Sequence, residues 1–119
     1  MDWHGKKVLV TGAGGFIGSH LAERLVELGA RLRAVVHYRG NGSLGWLEHS
    51  PCLHDLEVVA GDVCDREVMA QAMDGVEVVF HLAALIAIPY SYQAPSSFVR
   101  TNIGGTLNVL QCAREQGVA

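Results

Sequence analysis

Short apolar runs recur along the chain, separated by stretches with helical spacing of apolar residues. Runs of this length, rich in Val and Leu and bounded by polar or glycine residues, predict β-strands. The runs are Val8–Val10, Leu32–Val36, Leu56–Ala60 and Val76–Leu82. The last is almost continuously apolar, which is typical of a parallel strand buried on both faces.

Helical periodicity is clearest after the first run. One apolar stripe, with Gly29 in place for a left-handed cap, predicts a helix over Ser19–Leu28. The stripe consists of Ile17, Leu21, Leu25 and Leu28. The glycine-containing stretch from Tyr38 to Pro51 is predicted to be mostly loop, with a short helical turn at Trp46 and Leu47.

Two further helices are predicted downstream. Asp65 is placed to cap a helix from Arg66 to Met73 that closes at Asp74-Gly75. The last helix begins near Pro95 and runs to Gly117. Two interior glycines, Gly104 and Gly105, indicate either close packing against neighbouring backbone or a local kink.

Alternating strands and helices predict one α/β domain over residues 1–119. Right-handed crossovers give a parallel sheet in the order 3-2-1-4 with helices on both faces, the first half of a doubly wound fold. In such a sheet, ligands lie beyond the carboxyl ends of the strands. The residues that directly follow each strand are therefore the candidates for function.

A glycine-rich turn follows the first strand. It reads Thr11-Gly12-Ala13-Gly14-Gly15-Phe16-Ile17-Gly18, and a helix pattern comes next. Glycines leave main-chain N–H groups uncovered, so a diphosphate can approach the positive end of that helix. The spacing is Thr-Gly-x-x-Gly-x-x-Gly rather than Gly-x-Gly-x-x-Gly, since position 17 is Ile17. The alternative is a glycine turn with no ligand.

This octet, followed by Ser19-His20-Leu21, resembles the extended short-chain dehydrogenase/reductase superfamily, the NAD(P)-dependent epimerase/dehydratase family. Matches run in order from Lys7 to Val118. The resemblance implies a Rossmann fold that binds NAD or NADP. It assigns five turn residues to cofactor binding: Gly12, Gly15, Phe16, Ile17 and Gly18.

The second strand is followed by His37 and Arg39, with no acidic residue before Glu48. An NAD enzyme commonly has an Asp or Glu here for the ribose hydroxyls. Arg39, with His37 beside it, could instead pair with an adenosine 2′-phosphate, which favours NADP over NAD. A solvated loop arginine is the alternative.

Three more segments resemble cofactor-binding segments of the family. Asp62 and Val63 match the pair whose carboxylate accepts a hydrogen bond from the adenine amino group, although a simple turn aspartate is the alternative. Leu82, Ala83 and Ala84 match the segment under the nicotinamide ribose. Asn102 matches a helix residue that borders the active site and supports catalysis; the alternative is an ordinary helix asparagine. His81 is interpreted as a hydrogen-bonded core residue.

The catalytic pair of this superfamily, Tyr-x-x-x-Lys, cannot be written in the sequence. Lys6 and Lys7 are the only lysines, and every tyrosine lies downstream of them. The chain stops at Ala119, where strand five would begin, so we expect a domain truncated before the catalytic and substrate-binding parts. We predict no turnover by these 119 residues alone, and an aggregation-prone edge at strand four.

The segment from Leu85 to Pro95 resembles nucleotide-sugar 4,6-dehydratases, and Ile86, Ile88, Pro89 and Tyr90 are the residues expected near the sugar. Its alternative is an apolar loop that packs over the cofactor. A nucleotide-sugar 4-epimerase and a noncatalytic NADP-sensing module are the competing functions. A homodimer is expected for the full-length protein.

Composition excludes several other classes. A net charge of −3 without a basic run argues against nucleic-acid binding, and no segment is long and apolar enough for a signal peptide or a membrane span. Cys52, Cys64 and Cys112 are odd in number and lack metal-ligand spacing, which favours a reduced, cytoplasmic setting, buried apolar roles and no metal site.

Overall fold

A four-stranded parallel sheet forms the centre of the computed structural model, which describes residues 1–37, 44–84 and 92–119. The strands are β1 (Lys7–Thr11), β2 (Arg31–Val36), β3 (Glu57–Ala60) and β4 (Val78–His81). Their order is β3-β2-β1-β4, which confirms the predicted half of a doubly wound fold. No helix in the described ranges is long and apolar enough to cross a bilayer.

Helices cover both faces of the sheet. They are α1 (Phe16–Glu27), α2 (Arg66–Ala72), α3 (Pro95–Phe98) and α4 (Thr106–Gln116), with a π-helical segment over Val99–Gly105 between α3 and α4. Alternate residues of β1 point to opposite faces, as strand geometry requires. Val8 and Val10 pack with α1, whereas Leu9 packs with α2 and α4.

The predicted α1 stripe is only partly correct. The helix begins at Phe16, and its buried residues are Gly18, Ser19, Ala22 and Leu25. Ile17 is 71% exposed and Leu28 39% exposed. The first turn of α1 projects beyond the sheet, so Ile17 contributes to a cavity there rather than to the core.

Helix ends follow their predicted signals. Gly29 and Gly117 have φ of 87° and 67°, in the left-handed region where glycine is favoured. The Asp65 side chain accepts hydrogen bonds from the main-chain N–H of Glu67 and Val68, which confirms it as the cap of α2. A 3₁₀ turn over Gly45–His49 confirms the predicted helical turn, and a second, unpredicted one covers Leu53–Asp55.

Strand β4 is shorter and less buried than predicted. Its four residues are half-buried because it lies at the edge of the sheet. That edge is partly paired: Val79 N–H donates to the Ala119 carbonyl at 2.9 Å, and Ala119 N–H donates to that of Glu77 at 3.1 Å. The edge of β4, which was expected to be unpaired, is therefore hydrogen-bonded to the main chain of Ala119 at Glu77 and Val79.

The two interior glycines differ. A Cβ at Gly105 would lie 2.6 Å from Cγ2 of Val63, so this glycine permits close packing. A Cβ at Gly104 would meet no atom of the described residues within 4 Å. Both lie in the π-helical segment, an irregularity that occurs frequently at functional sites.

Candidate functional site

Gly12 begins the turn between β1 and α1 and cannot be replaced without strain. Its φ is 68°, and a Cβ would lie 2.7 Å from the main-chain N of Ala83 and 2.8 Å from the carbonyl carbon of Leu82. A Cβ at Gly18 would collide with the Gly12 carbonyl oxygen. These two glycines thus let the turn, α1 and the chain after β4 approach one another closely.

The amino end of α1 has no side-chain cap. Gly15 is the N-cap residue, the first turn of α1 holds no acidic side chain, and no side chain in the described ranges caps this end with a hydrogen bond. The free N–H groups and the helix dipole make this end attractive to an anion. A Cβ at Gly15 would touch only the Gly12 carbonyl oxygen, at 3.4 Å, so the space in front of it is open within the described structure.

A cavity of about 740 Å³ lies beyond the carboxyl ends of all four strands. Its size is within the range of small-molecule sites, roughly 300–1,000 Å³. The predicted cofactor residues that line it are Gly12, Gly15, Phe16, Ile17, Gly18, His37, Asp62, Val63, Leu82, Ala83 and Ala84. The fold therefore brings Gly12 and Ala84, which are 72 positions apart in the sequence, to one cavity.

Some predicted residues lie elsewhere. Asn102 does not line the cavity, although its neighbour Thr101 does. Arg39, and the predicted sugar-side residues Ile86, Ile88, Pro89 and Tyr90, lie outside the described residues.

Sequence reasoning missed several lining residues. They are Gly14, Val35, Val36, Gly45, Gly61 and Thr101. Gly45 offers a partial signal, because its φ of 65° needs glycine and Trp46 N–H bonds to the Gly14 carbonyl at 2.9 Å. That contact depends on a loop folding back over the turn, which no local pattern predicts.

Phe16 and Trp46 form an aromatic wall near this cavity. Their ring centroids are 5.3 Å apart in an edge-to-face arrangement, and both side chains are more than half exposed. Leu47, next to Trp46, is fully buried and anchors the 3₁₀ turn in the core. Exposed aromatic side chains held in this way offer apolar area to a ligand.

Asp62 holds the turn after β3. Its carboxylate accepts a hydrogen bond from Cys64 N–H at 2.9 Å, and Asn108 of α4 donates to the carbonyls of Val63 and Cys64. Burial raises the pKa of Asp62, but the hydrogen bonds from Cys64 and the charges of His37 and Arg100 together lower it below its ordinary value of 3.8. Asp62 is therefore a turn aspartate that also presents an ionised carboxylate beside the cavity.

His81 is confirmed as a hydrogen-bonded, half-buried residue. Its Nδ1 lies 2.7 Å from Thr11 Oγ1, and its Nε2 lies 3.0 Å from Thr106 Oγ1. Burial lowers the pKa of His81 below 6.5, which favours the neutral imidazole. Its partners are two hydroxyls rather than a carboxylate.

A second cavity, of about 520 Å³, lies at the amino ends of the strands. Charged side chains surround it, including Arg33, which pairs with Glu57 at 3.0 Å. Ligands of open parallel sheets bind at the other edge, so this groove is the weaker candidate. No group of three His, Cys, Asp or Glu side chains suited to a metal ion occurs among the described residues.

Comparison with known proteins shows the family of the chain. A family model described as GDP-mannose 4,6 dehydratase matches residues 9–119. The chain belongs to this family. The match confirms the predicted place in the epimerase/dehydratase branch of the short-chain dehydrogenase/reductases.

Relatives of this chain act on several nucleotide sugars. A UDP-N-acetyl-α-D-glucosaminuronate decarboxylase of Bacillus cytotoxicus is 34% identical over 109 residues, which are 91% of this chain and 33% of the relative. A dTDP-glucose 4,6-dehydratase of Streptomyces venezuelae, solved with NAD bound, has a TM-score of 0.83 and 32% identity, over 94% of this chain and 37% of that one.

A UDP-glucose 4-epimerase of Thermotoga maritima, solved with UDP-glucose, has a TM-score of 0.81 and 33% identity, over 94% of this chain and 35% of that one. The chain thus spans about a third of the length of the relatives it matches. The family is one of NAD-dependent enzymes that modify sugar nucleotides.

Proposed function

We propose that residues 1–119 form the NAD(P)-binding portion of a nucleotide-sugar 4,6-dehydratase. The observation that carries the proposal is the cavity between the uncapped end of α1 and the segments that follow the strands. The family match and the similarity to a dTDP-glucose 4,6-dehydratase support the choice of reaction. A nicotinamide cofactor bound in this cavity would supply the hydride acceptor and donor that loss of water from a hexose with oxidation at C4 and reduction at C6 requires.

The residues present suit such a cofactor. Gly12, Gly15 and Gly18 leave main-chain N–H groups accessible to a pyrophosphate at the positive end of α1. Asp62 and His37 would hold the adenosine, with Val63 beside them. The chain at Leu82, Ala83 and Ala84 would lie under the nicotinamide ribose, because small side chains there leave room for close approach.

We propose NADP rather than NAD as the cofactor. The exposed His37 follows β2 directly, and the sequence has no acidic residue between it and Glu48 that could bind the ribose hydroxyls. Arg39 follows two positions later in the sequence, and a guanidinium near this position would favour a 2′-phosphate. Titration of the chain with NADP and NAD tests the choice, and tighter binding of NAD would reverse it.

A 4-epimerase is the competing function, since a UDP-glucose 4-epimerase has nearly the same TM-score as the dehydratase. Epimerases and dehydratases share the cofactor and differ in the fate of the 4-keto sugar. Acidic residues beside the Tyr-x-x-x-Lys pair of the full-length protein would favour the dehydratase. Their absence would favour the epimerase.

We also propose that the 119 residues alone do not catalyse hydride transfer. No Tyr-x-x-x-Lys can be written in the sequence, so no tyrosine is paired with a lysine to exchange a proton with the substrate. The catalytic pair would then lie in a further part of the protein. Reduction of NAD or NADP by this chain in the presence of nucleotide sugars would refute the proposal.

The full-length protein is proposed to be a homodimer. The π-helical segment and α4 carry a stripe of exposed apolar side chains, which are Val99, Ile103, Leu107 and Leu110. Each is more than half exposed, and their spacing places them on one side of the helix. Such a stripe is typical of a surface that is covered in an assembly, here by a second copy.

Calorimetry with a matched pair of glycine variants tests cofactor binding. Gly15→Ala places a methyl group in front of the α1 amino end without a steric conflict in the protein, so affinity for NADP or NAD should fall at least about tenfold. Gly104→Ala is the control, because its Cβ also clashes with no atom of the described residues and lies away from the α1 amino end. Failure of the unaltered chain to bind either dinucleotide would refute the proposed function.

A further inference from the structure

Thr11 and His81 form a hydrogen bond whose direction is fixed. The Thr11 hydroxyl oxygen accepts the main-chain N–H of Leu82 at 3.0 Å and of Ala83 at 3.1 Å. A hydroxyl oxygen has two acceptor sites and one proton. Since both acceptor sites are used, Thr11 donates its own proton to Nδ1 of His81, 2.7 Å away.

The direction of the hydrogen bond between His81 and Thr106 is fixed in the same way. Nδ1 of His81 is an acceptor, so the proton of the neutral ring is on Nε2, which donates to Thr106 Oγ1 at 3.0 Å. Thr106 in turn donates to the Asn102 carbonyl at 2.8 Å. One continuous chain of hydrogen bonds therefore runs from the segment after β4, through β1 and His81, to the π-helical segment.

One end of this hydrogen-bonded chain lines the cavity, and the other end, at Asn102, is next to it in sequence. Leu82 and Ala83 line it directly, and Thr101, adjacent to Asn102, lines it from the π-helical segment. Thr11 is fully buried, so water does not reach its side chain to compete for these hydrogen bonds. A displacement of either segment breaks a hydrogen bond in this partly buried network, and the groups left without a partner destabilise the displaced state.

We propose that His81 is a positioning residue that ties the main chain at Leu82 and Ala83 to the helical segment at Asn102, and so fixes the part of the cavity that receives the nicotinamide half of the dinucleotide. The proposal rests on the proposed cofactor site. His81 acts through Thr11 and Thr106 and makes no contact with the reacting atoms.

The tautomer and the coupling are measurable without ligand. A long-range ¹H–¹⁵N spectrum should show His81 protonated at Nε2 and not at Nδ1. Thr106→Val keeps the side-chain shape and removes the hydroxyl, so it should shift the amide signals of Leu82 and Ala83. Thr106→Ser, which keeps the hydroxyl, should leave them in place. In a His81→Asn background, Thr106→Val should no longer move them.

Affinities for NAD and ADP distinguish a failure of the positioning role of His81 from a failure of the proposed function. Thr106→Val should weaken NAD binding roughly tenfold. The same substitution should change the affinity for ADP, which lacks the nicotinamide half, by no more than about threefold. Thr106→Ser should restore NAD affinity.

Three outcomes would overturn either the positioning role of His81 or the proposed function. Equal NAD affinity of the unaltered chain and Thr106→Val overturns the positioning role and leaves the cofactor site standing. If the unaltered chain binds none of ADP, NAD and NADP, the proposed function is overturned, and the amide shifts alone then test the coupling through His81. A ring protonated at Nδ1, or unmoved amide signals in Thr106→Val, overturns the inference about His81.

Discussion

Thr11 and His81 are register partners at the carboxyl ends of β1 and β4, and their side chains hydrogen-bond at 2.7 Å. The pair stands where the central strand meets the edge strand, directly below the residues that line the cavity. Because both ring nitrogens of His81 are committed, protonation of this histidine would leave Nδ1–H facing a hydroxyl without a spare acceptor site.

The stability of the chain should decrease as the pH falls through this titration. Burial lowers the pKa of folded His81 below 6.5, so the unfolded chain binds the proton at a higher pH. Neutral His81 therefore makes its full contribution to the free energy of unfolding above about pH 6.5. This contribution is lost as the pH falls from there towards the lower pKa that His81 has in the folded state.

Urea denaturation at about pH 8 and about pH 5.5 measures this loss. His81→Asn cannot titrate, so its free energy of unfolding should change less between the two pH values. The other histidines are present in both proteins and cancel in the comparison. An equal change in both proteins would show that His81 does not contribute.

Alanine substitution of the neighbouring glycines in the π-helical segment should have opposite effects. Gly105→Ala brings a Cβ to 2.6 Å from Val63 Cγ2 and should lower the free energy of unfolding by about 1–3 kcal/mol. Gly104→Ala meets no atom and should leave it unchanged or raise it by up to about 1 kcal/mol. Denaturant unfolding measures both, and similar values for the two variants would contradict the packing argument.

Asp62 is expected to contribute to adenosine recognition. Asp62→Ala removes the carboxylate and its bond to Cys64 N–H, so ADP affinity should fall about tenfold. Asp62→Asn keeps an acceptor oxygen and should cost about threefold or less. Calorimetry measures both against Asp55→Ala, an exposed carboxylate outside this cavity that should have no effect. Unchanged affinity in Asp62→Ala would leave Asp62 with a structural role alone.

The apolar stripe on α4 should drive self-association. Leu107 and Leu110 are 51% and 63% exposed. The double variant Leu107→Glu, Leu110→Glu places two like charges on this face and should shift the chain towards monomer in sedimentation experiments. His54→Glu changes an exposed residue remote from α4 and serves as the control. If the unaltered chain, the double variant and the control sediment identically, this surface is not the self-association contact.

Local chemistry by itself determined much of the fold. The φ of 87° at Gly29, the Asp65 cap and the apolar runs of the strands depend on residues within a few positions of each other. Strand order follows from the alternation of elements, because right-handed crossovers allow few arrangements. The glycine turn was recognisable for the same reason, since its spacing fixes where main-chain N–H groups are exposed.

Contacts between distant segments were decided only by the tertiary structure. Ile17 fits the helical stripe, yet it lies at the cavity because the sheet ends below the first turn of α1. Gly45 lines the same cavity because its loop folds back onto Gly14. The Thr11–His81–Thr106 chain joins residues 70 and 25 positions apart, and a hydrogen bond depends on distances and angles that only packing sets.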